Sequence, residues 1–190
     1  TDFVAVAIEA ARAAPGRLVK TIWTREQDFA ADQFRPAFAV RSVVGLDADD
    51  RITAIHSRIA GESLAAYHRK PPIPGFENLA DANSAAQLIY GAYAAPNKLI
   101  EYHKTDLEVP VGFWRSVTMS QNAFFGESLI DEVARGTNRD PLAFRLELLA
   151  GHPRLTPVLR KAAEMIGCER KRKRGTGRGI AFSYGRLRGG

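Results

Sequence analysis

The chain is 190 residues long, with 45 % hydrophobic and 25 % charged residues, a formal net charge of +6 and an isoelectric point near 9.7. This composition is typical of a folded globular protein that can bury a sizeable core, and it excludes the disordered and fibrous classes. The basic excess is concentrated in ERKRKRGTGR (169–178), and the rest of the chain is close to neutral, which argues against a nucleic-acid interface spread over the surface.

Cysteine content and hydropathy exclude several further classes. Cys168 is the only cysteine, so the chain has no intrachain disulfide, no cysteine zinc cluster and no four-thiolate iron–sulfur site. No apolar run approaches the length of a membrane span, so no transmembrane segment is expected. The chain starts without Met inside a helical pattern and stops at GRLRGG just after a new strand begins. We expect it to be an internal piece of a longer protein.

The first third of the chain predicts a helix, a strand and a hairpin. Pro15 and Gly16 end the alanine-rich helix, and REQDFAADQFRP (25–36) is predicted as a polar connection. Asp47, Ala48, Asp49 and Asp50 predict the turn of the hairpin. The helix, the strand and the two hairpin strands are expected at 3–14, 17–24, 37–46 and 51–60.

The middle of the chain predicts a long loop between short elements. His56 lies in the second hairpin strand, where a lone histidine is more often structural than a metal ligand. HRKPPIPGFENLADANSA (68–85) is rich in Pro, Gly and Asn and is predicted as a loop that crosses the surface or reaches a neighbouring subunit. A short helix or strand near 86–93 and a strand within NKLIEYHKTDLEVPVGF (97–113) follow.

Three consecutive helices are predicted in the last third. Asp140 followed by Pro141 is a strong helix start, and Gly151 and Gly167 are placed to end helices. Beyond the basic run, RGIAFSYG (178–185) is predicted as a strand that opens a further domain. The fold class is therefore α+β, with mixed sheet hairpins followed by three helices. The helices are expected at 120–135, 140–150 and 154–167.

The helix that starts near Ser120 carries a carboxylate among apolar side chains. Asp131 and Arg135 form an i,i+4 pair on its outer side. Glu127 neighbours the apolar face, so it is expected to be partly buried and to need a donor such as an arginine. A structural ion pair or a clamp on a nearby loop is favoured over catalysis. The apolar face consists of Ala123, Phe124, Ile130, Val133 and Ala134.

An aromatic loop with one arginine precedes this helix. The first helical turn exposes free backbone N–H groups and the positive end of the helix dipole, and Arg115 adds a full charge and five donors. Together they suit a phosphate or the ligands of an oxyanionic metal centre, while Trp114 and Val117 wall an adjacent apolar pocket. Packing of Trp114 combined with a salt bridge of Arg115 explains the same pattern, and both interpretations remain open.

A family resemblance bears on this choice. VPVGFWRSVTMSQNAFFGESLIDEVARGTNRDPLAFRLELLAGHPR (109–154) resembles the large, molybdopterin-binding subunit of the xanthine dehydrogenase and aldehyde oxidase family, in the isoquinoline 1-oxidoreductase branch. In that branch GFWRSV, SQNAF, and ES with IDE recur together, ahead of DP and HPR. VKTIWTREQDF, RPA, GLDADDRITA and GRGIA fit the same branch, in the same order, so the resemblance covers essentially the whole chain.

The loop differs from its counterpart in xanthine dehydrogenase relatives, which reads FRGFGGPQ. The spacing of that family loop to the following helix matches Trp114, Arg115, Ser116, Val117 and Gln121 without a gap. Serine and threonine replace two glycines, a valine replaces the second aromatic residue, and a serine replaces the proline. These departures are Ser116, Thr118, Val117 and Ser120.

The resemblance implies that this loop lies against a molybdenum–molybdopterin cofactor. Trp114 and Val117 would border the substrate pocket, and Gln121 would help to hold the loop or the cofactor. No catalytic or metal-ligating residue is assigned within the chain, since the family's catalytic glutamate is expected beyond Gly190. The cofactor-binding residues that the resemblance implies are Phe113, Trp114, Arg115, Ser116 and Gln121.

The resemblance also implies a reaction, partners and a domain plan. Family members hydroxylate an N-heterocycle or oxidise an aldehyde with water as the oxygen source, and the isolated chain is expected to be inactive. The expected partners are the rest of the large subunit and a separate small subunit that carries iron–sulfur clusters; no nucleic acid is expected. The periplasm is favoured over the cytoplasm. Part of one molybdopterin-binding domain is expected at 1–168, a basic linker at 169–177 and the start of a second such domain at 178–190.

One alternative from another functional class remains. The chain is then a non-catalytic, basic α+β binding module, in which RKRKRGTGRG (170–179) contacts nucleic acid or a protein partner.

Overall fold

A computed structural model describes residues 2–67, 84–168, 170–171 and 173–184. The chain divides into two compact units, Thr1–Phe34 and Arg35–Gly190. Most of the predicted loop 68–85 lies outside the described residues. Within the described part of the chain, no helix combines the length and the apolar character that a membrane crossing needs.

The first unit contains two helices, α1 (Asp2–Arg12) and α2 (Arg25–Ala31). The helix predicted at 3–14 is confirmed, whereas the predicted strand at 17–24 is wrong, since this segment is irregular. Its last residue, Thr24, is the N-cap of α2: its hydroxyl accepts from the Gln27 N–H at 3.3 Å, and the Gln27 side chain accepts from the Thr24 N–H at 3.0 Å. This reciprocal capping starts a helix where the sequence pattern predicted a polar connection.

The second unit is built on a three-stranded sheet of order β1-β2-β3. β1 (Phe38–Leu46) and β2 (Ile52–Glu62) pair antiparallel, which confirms the predicted hairpin. The Asp47 carboxylate accepts from the backbone N–H groups of Asp49 and Arg51, each at 2.9 Å, and so fixes the turn.

The third strand adds parallel pairing and makes the sheet mixed. β3 (Asn97–Thr105) pairs with β2, and the crossover between them contains α3 (Leu64–Tyr67) and α4 (Ala86–Tyr90). The predictions of a short element near 86–93 and of a strand after it are both confirmed. A parallel pair requires such a long connection, because the chain must return to the same end of the sheet.

Three helices follow the sheet as predicted: α5 (Met119–Gly136), α6 (Pro141–Leu148) and α7 (Thr156–Ile166). The Asp140 carboxylate caps α6, accepting from the N–H groups of Leu142 at 3.0 Å and Ala143 at 2.9 Å. Gly167 ends α7 in the left-handed conformation at φ 63°. With the mixed sheet, these helices confirm the predicted α+β class.

Two apolar clusters hold the second unit together. The first joins β2, α5 and α6, and it contains Ile52, Ile130, Ala134, Phe144 and Leu148. The second contains Ala92, Leu149 and Leu159, and side chains from 180–184 pack on it. The predicted strand at 178–185 is wrong, because residues 178–184 pair with no strand in the described structure. Their alternating apolar side chains, Ile180, Phe182 and Tyr184, reflect this packing.

Candidate cofactor loop at the start of helix α5

The residues from Gly112 to Thr118 form a loop between β3 and α5, which we call the cofactor loop. Of the predicted site residues, Phe113, Trp114, Arg115 and Ser116 are exposed, with Phe113 48 % and Trp114 42 % accessible. Val117 and Gln121 are half-buried, Gln121 in the first turn of α5. The predicted residues therefore lie together in sequence at the helix start, four of them exposed and two half-buried.

The cofactor loop has an unusual backbone. The Val117 N–H donates to the Trp114 carbonyl and the Met119 N–H to the Ser116 carbonyl, each at 2.8 Å, so the chain turns twice in succession. Ser116 and Val117 have φ of 64° and 50°, in the left-handed region. That region is unfavourable for residues with a side chain, above all for a β-branched one, and costs roughly 1–3 kcal/mol per residue. The surrounding structure must hold this conformation.

Arg35, which the sequence analysis assigned no role, supplies part of that support. Its Nη2 donates to the Arg115 carbonyl at 3.0 Å, and its Nη1 donates to the Val117 carbonyl. One guanidinium thus binds the carbonyls on both sides of Ser116. The segment RPA marked Arg35 as part of the family resemblance, but no spacing in the sequence indicates a contact across 80 residues.

The side chain of Arg115 is exposed and forms no hydrogen bond or ion pair with the described residues. The first turn of α5 contains no acidic residue, and the side chain of its N-cap, Thr118, makes no capping hydrogen bond. Positive charge from the guanidinium and from the helix dipole is therefore not neutralised by an acidic residue in that turn. An anionic group is the complement of this arrangement.

Two buried polar atoms beside the cofactor loop, Gln121 Nε2 and Asn122 Oδ1, have no hydrogen-bond partner within the part of the chain that the structure describes. Ser120 Oγ donates to Gln121 Oε1 at 3.2 Å, which leaves the amide nitrogen of Gln121 as the unused donor. Asn122 Nδ2 donates to the Ser84 carbonyl at 2.8 Å and ties α5 to the start of α4. A buried donor without an acceptor costs free energy, and a bound group with oxygen acceptors removes that cost.

Glu127 lies further along α5, in a buried ion-pair network. Arg145, which has no exposed side-chain surface, donates from Nε to Glu127 Oε2 at 2.8 Å and from Nη1 to Asp131 Oδ1 at 2.7 Å. The predicted structural ion pair is confirmed, with Arg145 as the donor. Burial and the neighbouring Glu127 carboxylate raise the pKa of Tyr93 well above its usual range.

The predicted outer pair on α5 is also confirmed, since Arg135 Nη2 lies 3.4 Å from Asp131 Oδ2. The assignment of Phe124 to the apolar face is wrong, because its side chain is 68 % exposed. Phe124 points outward and stacks edge-on with Phe125, at a centroid distance of 6.0 Å. The rest of the predicted face is buried or half-buried.

His56 is part of a charged row on the sheet. Its Nε2 lies 2.5 Å from Glu101 Oε2, and the same oxygen accepts from Arg58 Nε at 2.7 Å. These hydrogen bonds, from Arg58 first and then from His56, lower the pKa of Glu101. Across the described residues, no three His, Cys, Asp or Glu side chains lie close enough together to hold a metal ion. These contacts agree with the prediction that His56 is a structural residue and not a metal ligand.

The described part of the basic segment is exposed. Thr176 Oγ1 donates to the Lys173 carbonyl at 2.7 Å, and Arg178 Nη1 donates to the Arg170 carbonyl at 2.5 Å. Gly175, at φ 82°, makes the turn between them. The predicted linker at 169–177 and the domain boundaries on either side of it remain predictions.

Comparison with known proteins confirms the resemblance seen in the sequence. A family model for the molybdopterin cofactor-binding domain matches residues 2–149, which include the cofactor loop and exclude the basic segment. Isoquinoline 1-oxidoreductase subunit beta of Brevundimonas diminuta is 34 % identical over 171 residues, which are 89 % of this chain and 22 % of that protein.

A second relative is the membrane-bound aldehyde dehydrogenase [pyrroloquinoline-quinone] of Gluconacetobacter polyoxogenes. It is 34 % identical over 163 residues, which are 80 % of this chain and 20 % of that protein. The chain therefore spans about a fifth of the length of the curated relatives that it matches. The names of the two relatives refer to different substrates, and one of them refers to a quinone.

Proposed function

This chain belongs to the molybdopterin cofactor-binding domain family, and on that premise we propose that it forms part of the cofactor-binding catalytic subunit of a molybdenum oxidoreductase. The observation that carries the proposal is the cofactor loop at the start of α5. Its exposed arginine, its unused amide donor and a helix start without an acidic residue in the first turn all lie within the residues that match the family.

The residues present fit an anionic, oxygen-rich cofactor. Among the described residues, Gln121 Nε2 is a buried donor without an acceptor, and the Arg115 guanidinium is an exposed cation without a partner. Molybdopterin carries a phosphate group and oxygen atoms that accept such hydrogen bonds. We assign Phe113, Trp114, Arg115, Ser116 and Gln121 to cofactor binding.

Each of these residues has a distinct part in the proposal. Arg115 neutralises and orients the anionic group, and Gln121 donates a hydrogen bond to it. The indole of Trp114 and the side chain of Val117 border the substrate pocket and exclude water from it. When bound, the cofactor supplies the oxidation–reduction chemistry, and the protein supplies position and electrostatics.

The reaction proposed for the whole protein is hydroxylation of an N-heterocycle or oxidation of an aldehyde, with water as the oxygen source. The names of the two relatives support these two substrate classes. The catalytic base, the rest of the large subunit and a small subunit with iron–sulfur clusters are proposed to lie outside this chain. The chain alone would then be inactive, and the periplasm is the proposed location.

The nucleic-acid alternative depends on the basic segment at 169–178, which lies outside the residues matched by the family model. No contact among the described residues supports that alternative over a charged linker.

The proposal is tested on the full-length protein that carries this sequence, produced with its partner subunit. We expect Arg115→Ala and Gln121→Ala to lower the molybdenum and pterin content per polypeptide. Arg41→Ala, at an exposed position on β1, is the matched control and should leave both contents unchanged. A wild-type protein without molybdenum would overturn the proposed function, whereas unchanged metal content in Arg115→Ala and Gln121→Ala would overturn the site assignment alone.

A further inference from the structure

The conformation of the cofactor loop depends on a residue outside it. The guanidinium of Arg35 donates to the carbonyls of Arg115 and Val117, and both residues at the turn, Ser116 and Val117, have positive φ. A planar guanidinium presents its donors in a fixed fork, so these two hydrogen bonds fix the separation and the direction of the two carbonyls. They thereby fix the orientation of the peptide groups at 115–116 and 117–118.

Fixing these peptide groups also sets the direction of the backbone N–H of Ser116. The described residues contain no cis peptide bond, so in the loop each backbone N–H points opposite to the carbonyl of the preceding residue. With the Arg115 carbonyl bound to Arg35, the Ser116 N–H points away from Arg35. The Arg115 side chain is exposed beside it. Ser116 is exposed, and its N–H has no acceptor among the described residues.

We propose that Arg35 is a positioning residue of the cofactor site. It holds the cofactor loop in its left-handed turn, so that the Ser116 N–H and the Arg115 side chain are preorganised toward the bound anionic group. This inference rests on the proposed function for the identity of that group. The loop-holding part of it rests only on the contacts of Arg35.

The side chains at the turn explain why such a clamp is required. Glycine adopts positive φ without steric penalty, so a glycine at such a position carries no strain. Ser116, which replaces a glycine of the related loop, and Val117, which replaces an aromatic residue, both carry a side chain, and a valine at φ 50° is the least tolerant case. Two hydrogen bonds from a charged donor to the loop carbonyls offset that strain.

The first test is hydrogen–deuterium exchange of peptides that cover the cofactor loop, in the full-length protein with its partner subunit. Arg35→Ala should accelerate exchange of the Val117 and Met119 N–H groups, which close the two turns, by about tenfold or more. Arg35→Lys, which keeps the charge but loses the fork, should give an intermediate rate. Arg41→Ala is the matched control and should leave loop exchange unchanged.

A rescue variant separates this role from a general contribution to folding. Val117→Gly removes the strain that Arg35 offsets, so Arg35→Ala combined with Val117→Gly should recover slow loop exchange. A purely structural defect at Arg35 would not be recovered by a glycine in the loop. Failure of the rescue, or unaltered exchange in Arg35→Ala, would overturn the proposal.

Metal content then separates this inference from the proposed function. If the wild-type protein contains molybdenum, Arg35→Ala should lower its content and the rescue should restore it. Faster loop exchange without any loss of molybdenum would overturn the positioning role. A wild-type protein without molybdenum would overturn the proposed function and the cofactor part of this inference, while the exchange rates would still decide whether Arg35 holds the loop.

Discussion

Arg145 Nε donates to Glu127 Oε2 at 2.8 Å, and the arginine side chain has no exposed surface. The pair links α5 to α6, and Arg145 Nη2 adds a hydrogen bond of 3.1 Å to the Glu127 carbonyl. A buried charge that loses its partner is costly, so this link stabilises the second half of the helix whose first turn carries the cofactor loop.

Removing the buried arginine should destabilise this helix pair strongly. Arg145→Ala leaves the Glu127 carboxylate buried without its main donor, and we expect a loss of about 3–5 kcal/mol. The measurement is the free energy of opening of α5 and α6, from native-state hydrogen exchange in the full-length protein. The control is Arg135→Ala. Arg135 also pairs with Asp131, which Arg145 contacts, but its side chain is 71 % exposed, so its removal should cost less than about 1 kcal/mol. Equal effects in the two variants would show that the buried network is not the source of stability.

The same network predicts a loss of stability at alkaline pH. The pKa of Tyr93 is raised above 10.0 in the folded protein, by burial first and by the Glu127 carboxylate second. Well below pH 10 the phenol of Tyr93 keeps its proton in both the folded and the unfolded protein. As the pH rises through about 10, the unfolded chain releases this proton first, so the stability of the folded state falls. Tyr93→Phe should flatten this fall in urea midpoints measured from about pH 8 to about pH 11. Tyr184→Phe serves as the control, and an unchanged slope in Tyr93→Phe would refute the assignment.

The cap of α6 should have a smaller and local effect. Asp140→Ala removes the acceptor for the Leu142 and Ala143 N–H groups, and we expect it to cost about 1 kcal/mol. Asp140→Asn should be close to neutral, because asparagine caps helices about as well as aspartate. The measurement is hydrogen exchange of the first turn of α6. Equal losses in both variants would mean that charge, and not the capping acceptor, is what matters.

The basic segment is expected to be dispensable for cofactor binding. Replacing Arg170, Lys171, Lys173 and Arg174 with glutamine should leave the molybdenum content of the full-length protein unchanged, because these exposed residues lie outside the family match and, in the described structure, their hydrogen bonds stay within residues 167–178. Binding of the wild-type protein to a DNA duplex, abolished in this variant and weakened by salt, would instead support the binding-module alternative.

The elements that the sequence predicted well are those set by local chemistry. The Asp47 turn, the Asp140–Pro141 helix start and the Gly167 stop depend on residues within a few positions of one another. The helix α2 was missed although its signal, Thr24 followed by Gln27, is of this local kind. The pattern of 17–24 favours a strand that ends at Thr24, and such a strand conceals the N-cap of the helix that starts there.

The features that the sequence did not predict depend on contacts between residues that are distant along the chain. The alternation of Ile180, Phe182 and Tyr184 reflects packing on an apolar cluster, and an alternating pattern alone does not distinguish this from strand pairing. Arg35 lies 80 residues before Arg115, so only the folded chain brings its guanidinium to the loop. The need of Glu127 for a cation was predictable from helix geometry, but the identity of Arg145 as that cation was not.

The central claim is that the protein carrying this chain binds molybdenum–molybdopterin at the cofactor loop. It is tested most directly by metal and cofactor analysis of the full-length protein purified from its native cells, with pyrroloquinoline quinone assayed in the same extract. Our account predicts molybdenum and pterin in equal amounts, stoichiometric with the polypeptide, and no bound quinone. A fully folded protein that contains neither molybdenum nor pterin, or that contains the quinone in their place, would contradict it.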